Sequence, residues 1–277
     1  IPTNPGYVYD YSIDWGDGTV ENNVTGDAVH TYVAAGTYQV SITGDFPSIY
    51  FNGTPTQVEQ DNAGRFRSVE QWGTIAWGSM ANAFYGADSF ELNAMDFPDL
   101  SNVTDMSGMF RNTGIDFRGN ASMSGWDVST VTTMADMFNE ATLFDQDLGG
   151  WDVSNVTDMR NMFKWCVSFN ADIGSWEVGN VTDMSGMFNV AAEFNQDIGS
   201  WDVSNVTDMK EMFRQTNAFN QDLSSWQLGN VGNMKEMFFA AIEFNGNIVG
   251  WDVSSVTDMA GMFDTALMFN RDISGWA

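Results

Sequence analysis

The sequence has few of the residues that carry most enzyme chemistry. It contains one cysteine, Cys166, and one histidine, His30, among 277 residues. A single cysteine excludes an intramolecular disulfide and a thiolate metal cluster within the chain. The motifs of zinc proteases, phosphate-binding loops and serine hydrolases are absent, and a lone histidine makes acid–base catalysis a poor prospect. We therefore expect no enzyme and no catalytic residue, with paired carboxylates of the glycosidase type as the remaining alternative.

Basic residues are also scarce, and no long apolar run is present. Ten Lys and Arg residues stand against 37 Asp and Glu, which gives a formal net charge of −27. Such a chain repels phosphate backbones and anionic lipid, and none of its apolar stretches is long enough to cross a bilayer. We expect neither a nucleic-acid partner nor membrane insertion. Basic ligands and divalent cations remain compatible with the charge.

What the sequence has instead is a repeat of 25 residues. From about residue 72 onward a Met-x-x-Met-Phe motif recurs eight times, if the degenerate copy at 80–84 is included. Tryptophan accompanies it at an unbroken spacing, at Trp126, Trp151, Trp176, Trp201, Trp226, Trp251 and Trp276. A fixed period of this length is typical of units that stack on copies of themselves, because no single unit can bury its own apolar face.

The repeat that begins at Trp201 shows what each unit is expected to form. Trp201 and Val203 alternate with polar residues, which predicts a short strand with one buried face. Met209, Met212 and Phe213 then follow at the spacing of one helical face, which predicts about two helical turns. The sequence thus predicts an α/β solenoid, a right-handed array of about eight strand-plus-short-helix units, with Met, Phe and Trp in its core.

The N-terminal part differs in pattern. Residues 7–14 and 37–42 alternate apolar and polar side chains, which is typical of strands, and the glycines of 15–19 favour a tight turn between them. We expect residues 1–71 to form an antiparallel β cap on a solenoid of residues 72–277. Because the array lacks a polar cap at its C-terminal end, we also expect a truncated segment of a longer, exported protein.

Two stretches resemble known families. The wording FNQDIGSWDVSNVTDM at 194–209 closely resembles the repeat of BspA-like leucine-rich-repeat surface proteins of bacteria. The pattern WGDGT, HTY and AGTYQVSI within residues 9–44 is similar to part of the polycystic-kidney-disease (PKD) type β module of secreted bacterial proteins. These resemblances imply an extracellular location on the bacterial cell surface and an adhesive role. We also expect the domain to be monomeric by itself.

Two rows of polar residues, mostly acidic, recur once per repeat outside the predicted core. We predict that the first row binds a ligand on the concave strand face, with a merely solvated face as the alternative; it comprises Asp127, Asp152, Glu177, Asp202, Gln227 and Asp252. Neighbouring carboxylates at sheet spacing repel each other, so turn hydrogen bonds or bound Ca²⁺ must offset the repulsion. Turn capping is favoured and calcium is the alternative for the second row, Asp147, Asp172, Asp197 and Asp222.

A column of asparagines also recurs with the period of the repeat. Its members are Asn170, Asn195, Asn220, Asn245 and Asn270, preceded by Asp145. Because every repeat makes the same turn, we predict that these side chains satisfy backbone groups of the stacked turns.

The expected function is that of a non-enzymatic extracellular domain that binds a protein, peptide or glycan. We expect no cofactor, with Ca²⁺ as the alternative. The alternative is a structural spacer with no ligand of its own. A spacer should repeat uniformly, whereas a binding site breaks the repetition. The breaks favour binding, and they are the insertion at 111–125, Trp165, Arg214, Gln227 and Phe239.

Overall fold

The computed structural model describes residues 1–51 and 62–276. Its N-terminal part contains an antiparallel sheet in the order β2-β1-β3. The strands are β1 (Asp10–Asp14), β2 (Val20–Val24) and β3 (Ser41–Asp45).

Regular structure is sparse in the remainder. The strands β4 (Ser68–Val69) and β5 (Glu91–Leu92) pair in parallel, and a 3₁₀ helix covers Ala121–Gly125. Most other residues lie in turns and isolated bridges. Among the residues described, no helix has both the length and the apolar character needed to span a membrane.

The N-terminal sheet forms where alternation was strongest. Tyr11 and Ile13 of β1 are buried, and the strand expected within 7–14 is confirmed as β1. Strand β3 shares only Ser41 and Ile42 with the strand expected at 37–42 and extends to Asp45. The sequence did not indicate β2, because VENNV has little apolar alternation. The sheet region contacts the first repeat, where Gly78 donates its N–H to the Pro47 carbonyl at 2.7 Å. The division into a cap and an array stays a prediction.

The repeats stack on one another in parallel. Single-residue parallel bridges link each repeat to the next, one residue before each first methionine; the bridged column is Asp105, Thr133, Asp158, Asp183, Asp208, Asn233 and Asp258. Bridged backbones lie about 4.8 Å apart. Equivalent side chains of successive repeats are therefore near neighbours, and they form columns along the stack.

Each Met-x-x-Met-Phe motif forms a pair of tandem turns. In the segment 209–216, the N–H of Met212 donates to the carbonyl of Met209 at 3.2 Å and closes the first turn. Glu211 and Gln215 adopt the left-handed conformation, with φ of 58° and 56°. This conformation ends a right-handed helix wherever it occurs. We call the equivalent eight-residue stretches, each starting at the first methionine, the tandem-turn segments.

Every second N–H group of a tandem-turn segment donates its hydrogen bond to the next repeat. Those of Met209, Glu211, Phe213 and Gln215 donate to carbonyl oxygens 24 residues later, at 2.8 to 2.9 Å. The same four bonds connect the neighbouring repeats on either side. Each segment therefore has its hydrogen-bonding partners in the adjacent repeats, as nearest-neighbour stacking requires.

The predicted α/β solenoid of strand-plus-short-helix units is wrong. Within the described residues the tandem-turn segments are not helical, and neither Trp201 nor Val203 belongs to a strand. Tandem turns bury Met209, Met212 and Phe213 together, so the spacing expected of a helical face arises without a helix. A two-turn helix makes few internal hydrogen bonds, whereas the turns use the next repeat as well.

The apolar columns form the core, as predicted. Trp201 is 3% exposed, and its Nε1 donates to the carbonyl of Ile173 at 3.2 Å. Other tryptophans of the column make the same bond to a residue 28 positions earlier. Phe188 stacks between Phe163 and Phe213, with ring centroids 5.8 and 5.7 Å away. Stacked rings at these distances attract each other beyond the area they bury.

The tryptophan hydrogen bond offers a matched test of this core. We expect Trp201→Phe to remove one of the two donors of the buried Ile173 carbonyl, which keeps the N–H of Trp176 at 3.1 Å; the lost hydrogen bond costs about 0.5 to 1.5 kcal/mol. Trp126→Phe is the control, because the Nε1 of Trp126 has no partner among the described residues. Both changes remove the same indole volume, so Trp201→Phe should lower the free energy of unfolding more in denaturant titrations. Equal losses would contradict the assignment.

Candidate ligand-binding surface

The first acidic row lies on the surface, where its aspartates cap turns. Asp127, Asp152, Glu177, Asp202, Gln227 and Asp252 are all exposed. The Oδ1 atom of Asp152 accepts the N–H of Ser154 at 3.0 Å, and Asp202 accepts that of Ser204 at the same distance. These are Asx turns. The row predicted on a concave strand face therefore follows turns, and the Asx bond engages one carboxylate oxygen of each aspartate.

The turn hydrogen bonds also set the ionisation of the row. The serine hydroxyl two residues on, and then its N–H, hold the pKa of each aspartate below its ordinary value; this applies to Asp127, Asp152, Asp202 and Asp252. A hydrogen bond to the charged form favours that form. These four carboxylates are thus negative at neutral pH.

The second acidic row caps turns in the same way. The N–H groups two residues later donate to Asp147, Asp172, Asp197 and Asp222 at 2.9 to 3.0 Å. This is the capping that the sequence favoured. In the described part of the chain, no three His, Cys, Asp or Glu side chains are grouped so as to hold a metal ion. The row thus shows no assembled calcium site, and calcium binding stays a prediction.

The asparagine column satisfies backbone groups across the stack, which confirms its prediction. Asn195 donates its N–H to the side-chain oxygen of Asn170 at 2.9 Å, and Asn220 donates to Asn195 at 2.9 Å. Asp145 begins the series by accepting the N–H of Asn170 at 2.8 Å. The column therefore needs no ligand to account for it.

Sequence reasoning missed a third acidic row, which lies in the bridged column. Asp158, Asp183 and Asp208 are half-buried, and each caps the N–H two residues later at 2.8 to 3.1 Å. Burial raises the pKa of Asp158. Asn233 reduces the repulsion between carboxylates at the far end of the row, because it is neutral and its Nδ2 donates to Asp208 at 3.0 Å. The signal was an aspartate directly before each first methionine, a position that also suits the start of a helix.

Two open depressions bring both exposed acidic rows together. One depression is lined by Asp147 and Asp172 of the second row. The other is lined by Glu177 and Asp202 of the first row. Ser175 lines both, so the depressions adjoin. The surface between the rows is shallow and carries negative charge on two sides.

The repeats have relatives at the level of sequence. Residues 78–198 and 170–276 match the family described as "Mycoplasma protein of unknown function, DUF285". These overlapping matches span more than half of the chain. The chain belongs to this family. The DUF285 match begins at residue 78, so residues 1–77 lie outside it. No curated protein and no solved structure shows significant similarity to the chain.

The single histidine and cysteine of this DUF285 protein lie apart from the depressions. The Nε2 of His30 is 2.8 Å from Asp17 Oδ2, and its ring stacks on Trp15. Cys166 is buried, donates its thiol to the Phe138 carbonyl at 2.9 Å, and has its pKa raised by burial. Both side chains thus have structural partners in the DUF285 protein.

The capped aspartates predict a pH dependence of stability in the DUF285 protein. A carboxyl group whose pKa is lower in the folded state contributes stability above its unfolded pKa, and this is lost as the pH falls through the folded pKa. We expect Asp152→Asn and Asp202→Asn, which keep the turn acceptor, to flatten the loss of thermal stability below about pH 4. The effect of Asp158→Asn should have the opposite sign. Burial raises the pKa of Asp158, so its charged form destabilises the folded state, and replacing it by a neutral amide should raise the melting temperature at pH 7. Parallel melting curves for all variants would contradict both assignments.

Proposed function

We propose that this chain is a non-enzymatic, ligand-binding domain of a bacterial surface protein, and that it binds a basic peptide or a basic protein segment through the first acidic row. The observation that carries the proposal is the exposed, regularly spaced series of carboxylates. Each aspartate fixes one oxygen in its own turn, so the carboxylates keep their positions along the row.

Charge and shape support a cationic ligand. The depression that contains Glu177 and Asp202 is bordered by small residues, including Gly174, Gly179 and Ser200. An extended chain therefore meets little steric obstruction there. Lysine or arginine side chains placed along the row would meet a carboxylate in each repeat except that of Gln227, and complementary charge of this kind accelerates association.

The extracellular location rests on resemblance. The repeat wording is similar to that of BspA-like leucine-rich-repeat surface proteins, and residues 9–44 are similar to part of a PKD-type module. Both kinds of sequence occur in exported bacterial proteins, which suits an adhesive role. Membership of the DUF285 family supplies the coarser statement that this is a repeat-containing domain.

A structural spacer is the second candidate, and the uniformity of the columns favours it. Trp176 and Trp201 stack with centroids 6.5 Å apart, and Trp226 and Trp251 with centroids 6.3 Å apart. Such regular geometry suits a rigid stalk. A spacer would show no ligand in any screen.

The deciding experiment screens the chain against arrays of basic peptides, neutral peptides and oligosaccharides. We expect lysine-rich or arginine-rich peptides to bind, with affinity falling as salt rises. The triple variant Asp152→Asn, Glu177→Gln and Asp202→Asn should weaken this binding at least tenfold. Its asparagines keep the Asx-turn acceptors, so the turns are preserved.

The control variant removes the same charge elsewhere. Glu193→Gln, Glu243→Gln and Asp264→Asn change exposed acidic residues outside both depressions. Equal weakening by the two triple variants would mean that overall charge, not the row, attracts the peptide. Full binding by the first variant would move the site off the row, and an empty screen would favour the spacer.

A further inference from the structure

The tandem-turn segments differ in charge from the rest of the chain. Six of the ten basic residues lie in these segments: Arg111, Arg160, Lys164, Lys210, Arg214 and Lys235. Only five of the 37 acidic residues do: Asp136, Glu140, Glu211, Glu236 and Asp264. The tandem-turn segments therefore lack the strong negative charge of the two exposed acidic rows. A ligand that binds to them need not be cationic.

The position directly after each motif's phenylalanine forms a polar and aromatic column. Arg214 lies 4.7 Å over the ring of Phe239 in the next repeat, and Arg111 lies 5.4 Å over the ring of Tyr85 in the preceding one. These contacts show that equivalent positions meet across the stack. In the middle of the column Lys164 has an asparagine on either side; the column runs Tyr85, Arg111, Asn139, Lys164, Asn189, Arg214, Phe239 and Asp264.

The two asparagines that flank Lys164 each carry an unpartnered oxygen. Asn139 and Asn189 are 3% exposed. Their Nδ2 groups are held by carboxylates, that of Asn139 by Asp136 at 2.6 Å and that of Asn189 by Glu211 at 3.0 Å. Their Oδ1 atoms have no partner, and they are the buried side-chain oxygens for which this is true in the described part of the chain. A buried acceptor without a donor is costly, so such an atom calls for an explanation.

An exposed tryptophan lies in the repeat between these two amides. Trp165 is 48% exposed, whereas the tryptophans of the core column from Trp126 to Trp251 are buried. Its backbone is fixed, because its N–H donates to the Asn189 carbonyl at 2.8 Å and its φ is 62°. The equivalent positions in the adjacent repeats are Glu140 and Val190. The indole is thus a flat apolar surface that is accessible to a ligand.

We propose that Trp165, Lys164, Asn139 and Asn189 form a carbohydrate-binding site. A pyranose ring has one face of C–H groups, which packs on a single exposed indole. Its hydroxyls are donors for the two Oδ1 atoms and acceptors for the Lys164 ammonium. Lys164 takes part in no ion pair within the residues described, so its ammonium is available to donate to the hydroxyls of a sugar.

Other ligand classes fit this surface less well. An apolar peptide would require more apolar area than one indole supplies. A nucleic acid would meet the net charge of −27, which opposes binding. A basic peptide would be attracted to the acidic rows instead. A neutral hexose or N-acetylhexosamine oligosaccharide matches the indole, the two amides and the ammonium together.

The test uses an immobilised array of hexose and N-acetylhexosamine oligosaccharides, followed by calorimetry with the best sugar. We expect the chain to bind at least one of them and Trp165→Ala to weaken that binding at least tenfold. Leu267→Ala is the control, because Leu267 is an exposed apolar residue away from the column, at 74% exposure. Binding of no sugar, or unchanged binding by Trp165→Ala, overturns the proposal.

A second variant tests the amides without relying on the indole. Asn139→Leu and Asn189→Leu keep the side-chain volume and remove the unpartnered oxygens. We expect sugar binding to fall at least fivefold. The changes also remove the Nδ2 bonds to Asp136 and Glu211, so the melting temperature should fall, while the circular dichroism spectrum at the binding temperature stays that of the folded parent chain. Retained sugar binding by a folded variant overturns the role of the amides.

The carbohydrate site and the acidic row can fail separately. Trp165→Ala should leave the binding of basic peptides unchanged. The variant Asp152→Asn, Glu177→Gln and Asp202→Asn should leave sugar binding unchanged. Loss of both activities in either variant overturns the assignment of two distinct surfaces.

Discussion

Phe188→Ala is expected to destabilise the chain by about 3 to 5 kcal/mol, which is the usual cost of removing a buried aromatic ring. Phe188 is fully buried and stacks with Phe163 and Phe213 of the adjacent repeats. Within its own repeat, the centroid of its ring lies 4.0 Å from that of Phe194. A cavity at this point would weaken two interfaces of the stack at once, because each repeat touches chiefly its neighbours.

Denaturant unfolding followed by circular dichroism measures this effect. In a stack, a defect at one repeat can divide the cooperative transition into two, so a second transition is an expected sign. Leu267→Ala serves again as the control, since its side chain is largely exposed and its truncation should change the free energy of unfolding by less than about 0.5 kcal/mol. Similar losses for the two variants would refute the stacked aromatic core.

Gly114→Ala is expected to cost about 2 to 5 kcal/mol, from two separate causes. Gly114 has φ of 89°, a conformation that costs a residue with a side chain roughly 1 to 2 kcal/mol. A β-carbon at this position would also overlap the backbone carbonyl of Asp88, and forced overpacking typically costs about 1 to 3 kcal/mol. Since the obstacle is backbone, a side-chain rotation cannot relieve it.

Gly73→Ala separates these two causes. Gly73 also has a positive φ, 67°, but a β-carbon there would have no atom within 4 Å. This variant should lose only the conformational part, about 1 kcal/mol. Thermal melting of both variants gives the comparison, and an equal fall in melting temperature would mean that the Asp88 contact is absent.

The sequence was informative wherever one physical cause produces one pattern. The period of 25 residues, the buried tryptophan and phenylalanine columns and the asparagine column all follow from stacking identical units, and each is confirmed. Strand β1 was found because its alternate side chains, Tyr11 and Ile13, are buried on one face, whereas β3 begins four residues after the start of the strand expected at 37–42. Strand β2 was missed because the three residues between its terminal valines are polar and do not alternate with apolar ones.

The helix was predicted wrongly because two structures share its signature. Met209, Met212 and Phe213 point into the core from tandem turns just as they would from a helix. What separates the two is the left-handed conformation of Glu211 and Gln215. Glutamate and glutamine rarely adopt that conformation, so their presence does not predict it as glycine would. The hydrogen bonds that stabilise it are made to residues 24 positions later in the chain.

The proposed carbohydrate site could be predicted from the sequence even less well than the tandem turns. Trp165 stood out as a break in the repetition, but Asn139 and Asn189 looked like ordinary members of their repeats. Their importance lies in oxygens that find no donor, which depends on the positions of Asp136 and Glu211. Only three-dimensional placement reveals an unsatisfied atom of this kind.

The tandem turns give the stack an electric polarity. The N–H groups of Met209, Glu211, Phe213 and Gln215 all point toward the next repeat, while carbonyls of the same segment accept bonds from the previous one. In an ordinary sheet neighbouring peptide dipoles largely cancel, but here four peptide units per repeat are aligned, as they are in a helix. Each repeat therefore directs the positive ends of four aligned peptide dipoles toward the repeat that follows it, in a chain whose charged side chains are mostly negative.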